Sequence, residues 1–249
     1  MINFTELQKE IRSHADPQKA ALLMRFFKTG KGEYADGDLF LGIMVPVQRV
    51  IAKKFSDLSI SDVEKLLHSK YHEERLIALF ILIHQFEKGD AETKKKIFSL
   101  YLANTMHINN WDLIDLSAPK IIGEYLWKTG SETRVRRDIS LLKKIARSEN
   151  LWERRIAVLA TFQYIKYNSF VESLEIAEIL VHDRHDLIHK AVGWMLREIG
   201  KRDQSVEEEF LKKHAGNMPR TMLRYAIERF PEEKRKEFLC SSSRKSIKL

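Results

Sequence analysis

Cysteine is almost missing from this 249-residue chain: Cys240, near the end, is the only one. One thiol can neither close a disulfide within the chain nor furnish a cysteine-based metal site, and such scarcity fits a reducing compartment. No apolar run approaches the roughly 20 residues that span a membrane. The opening MINFTELQKEIRSH turns charged too early for a signal-peptide core. These absences predict a soluble, cytoplasmic protein with no membrane attachment. Proline and glycine are also few, at 5 and 10, and no segment alternates convincingly as a strand. The nearest case, FLGIMVPVQRVI, is broken by Pro46, which cannot donate to a sheet ladder. It reads better as a short loop entering a helix near Pro46.

Apolar residues do recur at helical spacing, and hydrophobic content of 44% is enough for a substantial core. VEKLLHS, ERLIALFILIHQF, RRIAVLATFQYI, HKAVGWMLREI and LRYAIERF all show apolar residues three and four apart. Start signals precede some of them: Asp16 followed by Pro17, and Ser61-Asp62 ahead of VEKLL. A small residue sits at the centre of one helix after another, at Ala78, Ala118, Ala157, Ala191 and Ala226, at intervals of 40, 39, 34 and 35 residues. Small residues let paired helices approach, and stacked pairs bury what one pair cannot. The expected fold is all-α, an α-solenoid of HEAT-like helix pairs with a concave binding face. It forms one domain over residues 1–240, with a polar, basic, frayed tail over 241–249. The polar, Gly-rich run TGKGEYADGD, residues 29–38, lacks a phosphate-loop pattern and reads as a flexible loop.

Inside the helical stretch NNWDLIDLSAPK, Trp111 and Asp115 are four residues apart and so share a face. Arg155 follows Asp115 by 40 residues and Trp194 follows Arg155 by 39, about one repeat each. Equivalent positions of stacked repeats lie side by side, so two aromatics, a carboxylate and a guanidinium are expected on the concave surface. Taken singly, each has a plain structural reading: core tryptophans, an acid capping a turn before Pro119, an inter-repeat ion pair at Arg155.

Lys plus Arg is 43 against 35 Asp plus Glu, a net charge of +8 that admits a polyanionic partner. The segment 134–155 is locally basic, with Arg134, Arg136, Arg137, Lys143, Lys144 and Arg147. Such residues can neutralise phosphates without reading sequence, or simply form a solvated face. HDRHDLIHK, residues 182–190, places His185 and His189 four apart but lacks the HExxH glutamate. Asp186 there reads as a helix cap, and no metal site is expected.

WDLID at 111–115, LWERR at 151–155, KAVGWMLRE at 190–198 and FLGI-x-x-P-x-x-R at 40–49 together resemble the bacterial, AlkD-like DNA alkylation-repair glycosylases built from HEAT-like repeats. The resemblance runs in order from about residue 17 to 230. It implies a catalytic aspartate at Asp115, cleft tryptophans at Trp111 and Trp194, and a cleft arginine at Arg155. Arg154 fits that last role less well, because the family's arginine lies three residues after the tryptophan matched by Trp152. Two departures stand out: Phe27 where a tyrosine is expected, and Met44 where a glutamine is expected. The implied activity is excision of 3-methyladenine and 7-methylguanine from duplex DNA, without a cofactor and without a pocket that encloses the base. The implied partner is duplex DNA carrying alkylated bases. No protein partner is required, and the protein is expected to be a monomer. Two other functions for such a repeat are a noncatalytic binder of bent or branched DNA and a protein-interaction scaffold.

Overall fold

The computed structural model describes residues 3–129 and 138–243. Among them every regular element is helical, and the nearest thing to a sheet is an isolated bridge between Leu39 and Tyr71. Contacts gather into two compact units, Met1–Ser117 and Ala118–Leu249. Arg134, Arg136 and Arg137 of the basic segment lie outside the described residues, as do 244–249 of the expected tail.

The first unit carries α1 (Phe4–Ser13), α2 (Pro17–Phe26), α3 (Val45–Lys54), α4 (Ile60–Leu67), α5 (His72–Lys88), α6 (Ala91–Ala103) and α7 (Trp111–Ala118). Asp16 caps α2, its carboxylate accepting from the amides of Gln18 and Lys19 at 3.0 and 3.1 Å. Pro46 sits in the first turn of α3, where a missing amide hydrogen costs nothing. The start of α4 differs from the sequence expectation. Its cap is Ser59 rather than the Ser61-Asp62 pair, because the Ser59 hydroxyl accepts from the Asp62 amide at 3.1 Å three residues on. The centre of the unit is α5, packed by α3 and α4 and buried nearly all round.

The FLGI stretch is shaped by a close approach. Gly42 has φ +85°, and a Cβ there would lie 2.1 Å from the Asp16 carbonyl oxygen. Only glycine fits such a position. The buried Glu73 carboxylate then collects three consecutive amides, from Leu41, Gly42 and Ile43, at 2.9, 2.8 and 3.2 Å. The loop between α2 and α3 is thereby tied to the first turn of α5.

The second unit continues with α8 (Glu124–Thr129), α9 (Ser140–Ile145), α10 (Leu151–Ala160), α11 (Phe162–Lys166) and α12 (Val171–Leu180). After these come α13 (Asp186–Gly200), α14 (Gln204–His214), α15 (Arg220–Ala226) and α16 (Glu232–Ser243). A five-residue π turn, Pro119–Gly123, leads into α8; Pro119 has no amide to continue the α ladder. Its own hub is α13, packed by α10, α14 and α15. Gly193 permits the α13–α15 approach, since a Cβ there would stand 2.5 Å from the Met222 carbonyl oxygen. All five repeat alanines are fully buried. No helix among the described residues is long and apolar enough to cross a membrane.

Candidate DNA-repair site

The first turn of α7 is fixed by side chains on either side of Trp111. Asn110 accepts from the Trp111 amide at 2.8 Å, and Asp112 accepts from the Leu113 amide at 2.9 Å. Leu113 and Ile114 are buried completely, while Trp111 and Asp115 stay half-buried. The spacing that put Trp111 and Asp115 on one face therefore leaves both at an accessible edge of the packed helix.

Both line a pocket of about 400 Å³ that also takes in Leu23, Phe26, Phe40 and Ile43. The Trp111 indole stacks on Phe27 at a centroid distance of 5.3 Å and an angle of 23°, with Phe26 meeting it edge-on at 6.0 Å. Phe27 in turn stacks on Phe40 at 5.1 Å. The indole nitrogen of Trp111 donates to the Tyr34 hydroxyl at 3.3 Å. Aromatic walls and carboxylates at Asp112 and Asp115 make a setting that favours a planar cation. The Asp115 charge reaches inward as well. Burial pushes the Tyr101 hydroxyl far above its ordinary acidity range, and Asp115 adds to that push.

Behind Asp112 lies a buried charge network that the sequence did not reveal. His72 donates from Nε2 to the Asp112 carboxylate at 2.8 Å, and its Nδ1 stands 3.6 Å from Asp38. Asp38 accepts from Arg75 at 2.8 Å. Burial pulls the proton affinity of His72 down, but Asp112 and Asp38 outweigh it and the net shift is upward. Asp38 moves the other way: burial opposes its ionisation, and His72 and Arg75 overcome that. Tyr34 and Asp38 both belong to the run expected to be a flexible loop. The only hint of their inward roles was an aromatic and an acid among small polar residues.

The two departures from the family pattern have distinct places. Phe27 is buried in the aromatic stack, whereas its neighbour Phe26 is 62% exposed at the pocket. Met44 caps α3 half-exposed, while Gln48, one turn on, is buried and donates to the Ile43 carbonyl at 2.6 Å. An amide side chain thus lines the pocket four residues later than expected.

Arg155 and Trp194 belong to the second unit, on the packed helices α10 and α13. Arg155 is 4% exposed and donates from Nη1 to the Leu187 carbonyl in the first turn of α13. Trp194 is half-buried, donates to Glu198 at 3.1 Å, and lies 6.0 Å from the Phe162 ring. Arg154 pairs with Asp183 at 2.7 Å. The cap of α13 is His185, not the expected Asp186, because the His185 Nδ1 accepts from the Leu187 amide at 3.1 Å. The His189 ring is bonded to the Asp183 carbonyl at 2.5 Å. Among the described residues no group of three or more His, Cys, Asp or Glu could hold a metal ion.

The described residues form an all-α helical repeat, with an acid-and-aromatic pocket against α7. The chain belongs to the DNA alkylation repair enzyme family, whose profile matches residues 7–230. Membership makes it a DNA-binding repair protein for alkylated DNA. Its fold is similar to that of a structure described as a predicted DNA alkylation repair enzyme from Enterococcus faecalis, with a TM-score of 0.67. Identity is 17%, over 88% of this chain and 98% of that one. It is also similar to AlkD2 from Streptococcus mutans, with a TM-score of 0.51 at 16% identity over 91% and 97%. At these identities the likeness concerns the fold. Among curated proteins no match is found.

Proposed function

We propose that the protein is a DNA N-glycosylase that hydrolyses the N-glycosidic bond of cationic N3- or N7-alkylated purines in duplex DNA. The observation that carries this reading is the Trp111–Asp115 edge of α7, open to a pocket with aromatic walls. An N3- or N7-alkylated purine is already positive and leaves as a neutral base, so it needs little acid assistance. As the C1′–N bond breaks, charge moves onto the deoxyribose as an oxocarbenium-like centre. A fixed carboxylate is worth most where charge develops, so Asp115 stabilises that centre. Water then adds at C1′, its proton passing to Asp115 or to solvent. Trp111 and Trp194 hold the cationic nucleotide and its sugar against their faces, each cation–π contact contributing on the order of 0.5–2 kcal/mol. Arg155 supplies the guanidinium fork that suits a phosphate. The hydrolysis requires no cofactor, and the protein acts on duplex DNA as a monomer in the reducing cytoplasm.

The family resemblance favours cleavage without enclosing the base. The pocket beside Trp111 favours a second reading, in which the base turns into it, since about 400 Å³ lies within the range of ligand sites. Leu23→Trp separates them. Filling the pocket should abolish excision if the base enters and leave it unchanged if the backbone alone is gripped.

The deciding experiment is base release from methylated duplex DNA by wild type and Asp115→Asn side by side. Wild type should release free 3-methyladenine or 7-methylguanine. The variant should release almost none, while binding DNA as tightly or more so, because a negative charge near phosphates is gone. No release from either protein, with tight binding kept, would establish the noncatalytic binder instead.

A further inference from the structure

His72 opens α5 and is 2% exposed, yet no part of the reaction scheme uses it. Its ring lies between Phe40, stacked at 4.6 Å, and Phe27, tilted at 4.9 Å. Phe27 is the residue on which Trp111 stacks. Its Nε2 holds Asp112, which joins Trp111 and Asp115 in the first two turns of α7. On the other side, its Nδ1 and the Asp38 Oδ2 face each other at 3.6 Å. Neither atom has a hydrogen-bond partner among the described residues. A neutral imidazole can donate from one nitrogen only, whereas the imidazolium donates from both. Two carboxylates flanking one ring, one at each nitrogen, are matched only by the doubly protonated form.

We propose that His72 is a positioning residue: as an imidazolium it clamps Asp112 against Asp38, fixes the first turn of α7, and so sets where Trp111 and Asp115 stand. The site thereby depends on the charge of one buried ring. Other charges around it are few. The 29–43 segment contributes Asp38, α5 contributes Arg75 and Glu73, and α7 contributes Asp112 and Asp115. From α2 and α3 only uncharged side chains reach the pocket, Gln48 among them. Arg75 opposes the imidazolium and the acids favour it, in keeping with the net upward shift of its proton affinity. The clamp is therefore closed on the acid side of the His72 titration and released as pH rises through it.

The inference rests on the glycosylase reading for its functional consequence and its kinetic test, but not for the NMR test. Single-turnover base release should be measured from pH 6 to 9.5 in wild type, His72→Gln and His72→Arg. In parallel, the His72 imidazole and the Trp111 indole N–H of wild type should be followed by NMR. Wild type should lose rate on the alkaline side along the His72 titration curve. His72→Gln should lower the rate at pH 7 on the order of tenfold and flatten that limb. His72→Arg, a permanent cation, should keep activity into the alkaline range. An alkaline limb that persists in His72→Gln, or a His72 ring that titrates at or below about 6.5, overturns the proposal. If wild type releases no base, the glycosylase reading fails separately. The clamp is then judged by NMR alone: the Trp111 indole resonance must move with the His72 curve, and an indifferent resonance sinks it.

Discussion

Two buried glutamates show how much a single side chain can decide here. Glu73 is fully buried, and its carboxyl oxygens accept three backbone amides. Hydrogen bonds to a charged group contribute about 1.5–3 kcal/mol each. Glu73→Gln replaces one acceptor oxygen by a donor facing amide donors, and should lower stability by about 2–4 kcal/mol, read as a lower urea midpoint. An unchanged midpoint would mean that the FLGI backbone does not depend on this carboxylate. Glu207 on α14 is the opposite case: 1% exposed, with no hydrogen-bond partner for Oε1 among the described residues. Burial pushes its carboxyl up to about 8, Glu208 adding and Arg197 opposing. The folded state therefore keeps a proton that the unfolded chain loses above about 4.5. Stability on this account falls as pH rises from about 4.5 to about 8, by at most about 1.4 kcal/mol per pH unit. Glu207→Gln should match wild type near pH 5 and exceed it near pH 8 in urea denaturation. An equal difference at both pH values would refute the buried acid. Neither role was legible in the sequence. Glu73 looks like an ordinary first-turn acid, and its partners are backbone amides about 30 residues away.

At the scale of elements, the small-residue positions were legible because one physical demand, close helix approach, recurs at every repeat. Ala78, Ala118, Ala157, Ala191 and Ala226 are fully buried, and Gly193 lies against the α15 backbone. In an exposed helix, replacing glycine by alanine stabilises by about 1 kcal/mol. Gly193→Ala should do the reverse, because its Cβ would lie 2.5 Å from the Met222 carbonyl oxygen and 2.6 Å from the Tyr225 Cβ. Overpacking of this kind costs about 1–3 kcal/mol, and a thermal melt would register it. A melting temperature at or above wild type would show that α13 and α15 can part without penalty. Trp111 and Asp115 were legible for a similar reason: four-residue spacing on a helix is geometry that needs no partner. What escaped was set by contacts distant in sequence. The caps of α4 and α13 moved by one or two residues to whichever side chain could reach an amide. Tyr34, Asp38 and His72 join the site through a loop and a helix start that carry no periodic signal.

For the molecule as a whole, the division between Ser117 and Ala118 falls inside α7, at two fully buried residues. Independent domains are usually joined through exposed linkers, so residues 1–240 are proposed to unfold as one domain. A single transition with equal calorimetric and van't Hoff enthalpies would agree, and two resolved transitions would not. The remaining whole-molecule quantity is charge. A net +8 on this chain suits phosphate neutralisation, and each neutralised phosphate releases condensed counterions from the duplex. If about four phosphates are contacted, affinity for undamaged duplex should fall on the order of 100-fold between 50 and 200 mM salt. Base preference should survive the same change, because the proposed recognition of a cation at Trp111 and Asp115 rests on short-range contacts that salt screens less. Fluorescence anisotropy with plain and methylated duplexes at several salt concentrations measures both. A steep, shared slope with a constant offset between the two DNAs fits an enzyme that grips backbone and tests for charge. A flat slope would remove DNA phosphate from the interface and return the repeat to the class of protein-binding scaffolds.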